Sequence, residues 1–208
     1  MQVKLVFNRK GITLIELMVA LVICGIVIGA VYRLFVTQTR AYTVQDQVAE
    51  VQQSVRGAMD ILVRDLRMTG CETAAVPIVT PVASNSITVN YQLSQVTYSL
   101  VGVAPAVDLQ RQLTLNGVVT PAETILPNVN SFILTYGIDA DGNRIVDDQN
   151  GNGLVDTGDY IAAGAVGANR IISIRVQLSG IPSINSPDAV AQVLPRTLDS
   201  TVTLRNLL

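Results

Sequence analysis

The chain has 208 residues, of which 49% are apolar and only 14% are charged. A typical soluble domain carries about 25% charged residues, so part of this chain is unusually apolar. Histidine is absent, which excludes His-based catalytic triads, His-ligated zinc and histidine general bases. The formal net charge is −2 and no basic patch is present, so no nucleic-acid partner is expected. We expect neither an enzyme nor a small-molecule substrate.

The N-terminal part combines a basic leader with a long apolar run. Residues 1–11 contain three basic side chains and no acid, and residues 12–32 contain a single charge, Glu16. As a helix, residues 12–32 would span about 32 Å, against about 30 Å of bilayer hydrocarbon. The basic residues before the span place the N-terminus in the cytoplasm. These features predict a membrane-spanning helix.

A secretory signal peptide has the same basic start and apolar middle. Two features oppose that interpretation. No small-x-small cleavage site follows the apolar run, which ends GAVYRLF. Glu16 lies inside the run, where a carboxylate costs about 2.5–3.5 kcal/mol on insertion scales. An acid in a membrane segment indicates a functional site, and it needs a cationic partner.

The segment Lys10–Leu17 reads KGITLIEL and resembles the type III signal of type IV prepilins and pseudopilins. The resemblance implies that a membrane prepilin peptidase cuts after Gly11 and that the new N-terminal residue, Ile12, is N-methylated. It also implies that Glu16 pairs with the α-amine of a neighbouring subunit in a filament. Most members of the family have Phe where this chain has Ile12. Residues 1–11 are then a cleaved cytoplasmic leader peptide.

Beyond the apolar run, small aliphatic residues recur at steps of three and four, which predicts an amphipathic helix. A coiled coil is the alternative, but the strand-like sequence that follows favours a helix laid against a sheet. The stripe consists of Val44, Val48, Val51, Val55, Ala58, Leu62 and Leu66. The predicted polar face includes Gln45, Asp46, Gln47, Glu50, Gln52, Gln53, Arg56, Asp60, Arg64 and Asp65.

One helix is therefore predicted from about Thr13 to Thr69, with Gly70 in the position of a C-cap glycine. We divide it into a transmembrane and filament-core part, residues 12–36, and an amphipathic part that belongs to the head, residues 37–70.

The remaining residues, 71–208, alternate between apolar and polar in short runs, which indicates a β-rich globular head. We predict an α+β pilin fold, in which about six strands form one antiparallel sheet with one solvated face. The helix stripe covers the other face. Asn116-Gly117 predicts a tight turn. The predicted strands centre on residues 87–93, 96–100, 113–115, 132–136, 172–178 and 198–204.

The two cysteines, Cys24 and Cys71, would lie about 70 Å apart along a straight helix. A disulfide requires Cα atoms within about 7 Å, so no intrachain bridge is expected. Cys24 is then a small apolar residue of the membrane segment. For Cys71, burial in the head and an intermolecular disulfide are the two alternatives.

Several further phrases resemble PilW-type minor pilins: residues 60–71, 130–132, 136–139 and 200–206. The resemblance implies a structural subunit of a type IV pilus that takes part in pilus assembly or priming. Its partners would be the prepilin peptidase and other major and minor pilins, contacted through the N-terminal helix. The protein would reside in the inner membrane with a periplasmic head and then in the pilus at the cell surface.

Two alternatives to a pilus subunit remain. The J-type minor pseudopilins of type II secretion share much of this layout. A membrane-anchored recognition protein that depends on calcium is the other, although a simple anchor needs neither the cleavage site nor Glu16.

An acidic loop, residues 139–159, contains a tandem nine-residue repeat, 139–147 and 148–156. The second copy places oxygen-bearing groups at positions 1, 3, 5, 7, 9 and 12 of a calcium loop, with Gly153 at position 6, where a sharp turn is needed. The predicted calcium ligands are Asp148, Asn150, Asn152, the Leu154 carbonyl, Asp156 and Asp159.

The first copy of the repeat has Arg144 at the glycine position and is the weaker candidate. Asp159 replaces the usual Glu at position 12 of the second copy, and its shorter side chain reaches less far. The alternative to a calcium site is a polar Asn/Asp/Gly turn. The weaker candidate ligands are Asp139, Asp141, Asn143 and Asp147.

Overall fold

The computed structural model describes residues 11–70, 79–83, 85–91, 93–104, 106–167, 169–182 and 193–204. The chain divides into two compact units, Met1–Gln45 and Asp46–Leu208. The leader before Gly11 and the predicted alternatives for Cys71 lie outside the described residues.

A single helix, α1, runs from Leu14 to Met68, within one residue of the prediction at each end. In the first unit it is long and apolar enough to cross a membrane, and residues 11–35 are all exposed. Its C-terminal end is followed by Gly70, whose φ of 83° is the left-handed conformation typical of a C-cap glycine.

Within the second unit, the predicted apolar stripe of α1 is buried from Val51 onward, and Val48 is half-buried. Val51, Val55, Ala58, Leu62 and Leu66 are at most 7% exposed and belong to one core with residues of both sheets described below. The helix therefore packs on sheet rather than on a second helix, as predicted.

The first sheet is antiparallel and has the order β1-β2-β3-β4-β5, with β6 paired to β4. The two-residue connection between β4 and β5 is Asn116-Gly117, at φ 51° and 81°, the pair of positive angles that a type I′ turn requires. The strands are β1 (Val79–Ala83), β2 (Ser86–Tyr91), β3 (Ser94–Val103), β4 (Ala106–Leu115), β5 (Val118–Val119) and β6 (Glu123–Leu126).

The second sheet has the order β10-β9-β7-β8 and is also antiparallel. The α+β class is confirmed, but the prediction of about six strands in one sheet is wrong: the described residues form a six-stranded and a four-stranded sheet. Several strands have two to five residues, too few to display alternation. The strands are β7 (Val129–Asp139), β8 (Ile161–Ala162), β9 (Arg170–Gly180) and β10 (Arg196–Thr203).

Asp65 was predicted on the polar face of the helix, and this is wrong: it is only 4% exposed. The Tyr98 hydroxyl donates to Asp65 Oδ2 at 2.6 Å, and Arg111 Nε donates to the same oxygen at 2.8 Å. Tyr98 and Arg111 are register partners on β3 and β4, so the first sheet presents both donors together. The carboxylate is buried because it is paired and hydrogen-bonded there.

These contacts shift the pKa values of both donors. Burial, together with the hydrogen bond to the Asp65 carboxylate, raises the pKa of Tyr98. Burial lowers the pKa of Arg111, but its hydrogen bond and ion pair with Asp65 outweigh burial and raise it. Both side chains therefore keep their protons, and the cluster fastens α1 to the first sheet.

Candidate functional site

The predicted cleavage site lies immediately before α1. Gly11, Ile12 and Thr13 are exposed and not helical, and the helix begins at Leu14. The Thr13 carbonyl accepts the Leu17 amide at 3.2 Å, and Thr13 Oγ1 accepts the Glu16 amide at 3.3 Å. Thr13 is therefore the N-cap, because its side chain satisfies one of the backbone donors that the first helical turn leaves open.

Glu16 lies in the first turn of α1 and is exposed in the single chain. A carboxylate in this position is favoured by the partial positive charge at the helix N-terminus. Cleavage after Gly11 would add a free α-amine at Ile12, one turn away on the same helix end. The segment thus places the predicted cleavage site, methylation site and assembly residue together.

The first copy of the acidic loop leads out of β7. Asp139 accepts the amides of Gly142 and Arg144 at 2.7 and 3.2 Å, and Asp141 accepts the Asn143 amide at 3.0 Å. Asp147 accepts the Ala140 amide at 2.8 Å. Carboxylate oxygens of Asp139, Asp141 and Asp147 lie within 4.8 Å of one another, close enough to share one cation.

The second copy repeats this pattern of side-chain acceptors and backbone donors. Asp148 accepts three amides, those of Gly151, Asn152 and Gly153, at 2.6, 3.2 and 2.6 Å. The Asn150 side-chain oxygen accepts the Asn152 amide at 3.0 Å. The side chains of the predicted ligands at positions 1 and 3 therefore accept amides of the same loop.

The later positions of the second copy close this loop. The side-chain amides of Asn150 and Asn152 donate to the two oxygens of Asp156 at 3.1 and 2.9 Å. Asp159 is fully buried and accepts amides from Gln149, Asn150 and Asp156 at 2.9, 3.2 and 2.7 Å. The Leu154 amide donates to Asn152 Oδ1 at 2.7 Å. All six predicted residues thus belong to one connected loop.

The backbone angles of the two copies also correspond. Gly142 and Gly151 have φ of 81° and 72°, and Arg144 and Gly153, at position 6 of each copy, have φ of 69° and 81°. Arg144 adopts a left-handed conformation at the position that is glycine in a calcium loop. In a residue other than glycine, this conformation costs about 1–3 kcal/mol. The second copy makes the same turn without that strain.

The electrostatics of the loop favour a cation. Six aspartates lie between residues 139 and 159 with Arg144 as the single cation. The backbone hydrogen bond from Gly153 lowers the pKa of Asp148 below its ordinary 3.8, against desolvation, and the bonds from Gly151 and Asn152 add to the lowering. A carboxylate has about four lone-pair positions, so its oxygens can accept these amides and still bind a metal ion.

The loop is fixed to the outer face of the second sheet, which the sequence did not indicate. A Cβ placed on Gly137 would lie 2.8 Å from Val146 Cγ2 and 3.2 Å from Tyr160 Cε1, so both side chains rest on this glycine. The hydroxyls of Tyr160 and Ser173 are 3.2 Å apart. A glycine inside a strand often marks a close approach of another part of the chain. Gly137 was therefore the feature of the sequence that could have indicated this contact.

Comparison with known proteins concerns the N-terminal segment. Residues 6–32 match the prokaryotic N-terminal methylation motif. Among curated proteins, none matches this chain. Together with the apolar helix, the motif supports a type IV prepilin-like protein with a pilin- or pseudopilin-like role and a membrane anchor.

Proposed function

We propose that this protein is a minor pilin of the PilW type, a structural subunit that takes part in assembly or priming of a type IV pilus. The observation that carries the pilin-like part of the proposal is the methylation motif at residues 6–32, within which the Gly11–Ile12 peptide directly precedes a long apolar helix. The PilW type rests on the resemblance of residues 60–71, 130–132, 136–139 and 200–206. An α+β head after that helix is consistent with it. The proposed role is structural, not catalytic.

In this proposal the prepilin peptidase removes residues 1–11, and Ile12 becomes the methylated N-terminus. Glu16 then pairs with the α-amine of a neighbouring subunit, since a carboxylate among apolar side chains needs a cation. Residues 12–36 anchor the precursor in the inner membrane and later contact other pilins in the filament. The basic leader keeps the N-terminus cytoplasmic, so the head is periplasmic before assembly.

A Glu16→Ala variant tests the assembly role. We expect it to be inserted and processed normally but to be strongly depleted from sheared filaments, because the α-amine of the neighbouring subunit loses its partner. Asp60→Ala, at an exposed acid further along α1, is the matched control and should be incorporated like the wild type. Normal incorporation of Glu16→Ala would contradict the role.

The same N-terminal observation supports a J-type minor pseudopilin of type II secretion. Deletion of the gene in its own host separates the two. Loss of surface pili with normal secretion supports the pilus subunit, whereas loss of secretion with intact pili supports the pseudopilin.

The second part of the proposal is a calcium ion in the acidic loop, held by Asp148, Asn150, Asn152, the Leu154 carbonyl, Asp156 and Asp159. Its support is the spacing of these residues together with the hydrogen bonds that connect them in one loop. The weaker position is the first copy, where Asp139, Asp141 and Asp147 converge beside Asn143. A calcium-dependent recognition role for the head depends on the same ion.

A further inference from the structure

The boundary between the predicted scissile bond and the helix is set by one side chain. The Gly11–Ile12 peptide lies outside α1, and Thr13 closes the first turn with both its carbonyl and its hydroxyl oxygen. Threonine is among the residues preferred at N-caps, and the Thr13-x-x-Glu16 spacing is that of a capping box. The hydroxyl bond to the Glu16 amide is one of the two bonds of such a box.

We propose that Thr13 is a positioning residue for prepilin processing: by capping α1, it keeps the Gly11 carbonyl out of the helix and open to the peptidase. This inference rests on the proposed function, since it assumes cleavage at that bond. In the hydrolysis, water adds to the Gly11 carbonyl carbon and the C–N bond to Ile12 breaks. The carboxyl group stays on Gly11 and the amine on Ile12. A carbonyl engaged in a helical hydrogen bond would first have to be released.

The sequence offers an alternative start for the helix if the Thr13 cap is lost. The nearest upstream residue whose side chain can cap a helix is Asn8, three residues before Gly11. A helix capped there would include the scissile bond, and its Gly11 carbonyl would accept the amide of Ile15. Gly11 is a poor helix former and opposes this extension, so the two starting points compete closely. Thr13 decides the competition in favour of the exposed bond.

The test measures initial cleavage rates of the full-length chain in detergent with purified prepilin peptidase. Thr13→Val keeps the branched shape and removes the hydroxyl, and we expect it to be cleaved about fivefold more slowly, the equivalent of about 1 kcal/mol for a lost cap. Thr13→Ser keeps the hydroxyl and should stay within twofold of wild type. Thr37→Val, which removes a hydroxyl bonded to the Arg33 carbonyl in α1, is the matched control and should not change the rate.

The double variant Asn8→Ala/Thr13→Val distinguishes positioning from direct contact with the peptidase. Removing the upstream cap should restore most of the lost rate, which loss of a direct Thr13 contact would not allow. Wild-type or faster cleavage of Thr13→Val, equally slow cleavage of Thr13→Ser, or no recovery in the double variant would each overturn the inference while leaving the proposed function intact. An uncleaved wild-type chain would overturn both.

Discussion

Calcium should stabilise the head, and Asp148 should carry most of the effect. Extracellular calcium is roughly millimolar, and extracellular loops bind it with dissociation constants of about 10⁻⁴–10⁻³ M. At ten times the dissociation constant, a bound ion adds about 1.4 kcal/mol by mass action. For a domain of this size, that corresponds to a rise in Tm of about 3–6 °C. Asp148 is expected to account for most of the rise because it occupies position 1 of the copy with the better calcium-loop spacing.

The assay compares melting in millimolar calcium with melting in chelator, by calorimetry on a head fragment that starts at Gln38. The compact unit Asp46–Leu208 lies wholly within this fragment. Asp148→Asn removes one charge at nearly constant shape, and it should lose most of the calcium-dependent shift. Because an amide nitrogen would face one of the loop amides, the variant is also destabilised without calcium, so the shift and not Tm is compared.

Two further variants and magnesium serve as comparisons for the calcium-dependent shift in Tm. Asp139→Asn should lose less of the shift, since the second copy of the repeat has glycine at position 6 and an acid at position 12. Asp60→Asn, on α1 outside the loop, should keep all of it. Magnesium should replace calcium poorly, because it demands tighter octahedral geometry. Identical melting in calcium and chelator, with no heat of binding, would refute the calcium proposal and leave a polar turn.

Three further predictions follow from the packing and the pKa values. Gly137→Ala should destabilise the head by about 1–3 kcal/mol in urea unfolding and reduce the calcium shift, because its Cβ would collide with Val146. Tyr98→Phe should cost about 1.5–3 kcal/mol in the same assay, since it removes a hydrogen bond to a buried charge on Asp65; an unchanged midpoint would contradict this role. Folding lowers the pKa of Asp148, so its carboxylate stabilises the folded state at pH values above the ordinary pKa of 3.8, and this stabilisation is lost as the pH falls through the lower folded pKa. In acid unfolding without calcium, Asp148→Asn should lack this pH-dependent loss of stability.

The sequence predicts those parts of the molecule whose signals are local. The helix is confirmed because its period and Gly70 lie within a few residues of the features they define. The Asn116-Gly117 turn is confirmed for the same reason. The ligand set of the acidic loop stays a prediction, although its repeat spacing corresponds to a repeated hydrogen-bond pattern.

The features that the sequence did not predict depend on distant partners. Nothing near Asp65 in the sequence indicates that it is buried. Its partners Tyr98 and Arg111 follow 33 and 46 residues later. Strands at the positions of β7, β9 and β10 were predicted, but the division into two sheets was missed because it depends on which strands pair, and β7 pairs with β9, which begins 31 residues after β7 ends. The packing of Val146 on Gly137 requires the loop to fold back over β7, which spacing alone does not encode.

The central claim is that this chain is processed as a prepilin, and the mass of the mature N-terminal peptide tests it most directly. The protein is extracted from membranes of cells with and without an active prepilin peptidase, digested and analysed by mass spectrometry. In peptidase-competent cells, we expect the N-terminal peptide to begin at Ile12 and to carry one methyl group on its α-amine; cells without the peptidase should yield the uncut leader. A chain that retains residues 1–11 in competent cells, or one cut beyond the apolar run by a signal peptidase, would contradict the account.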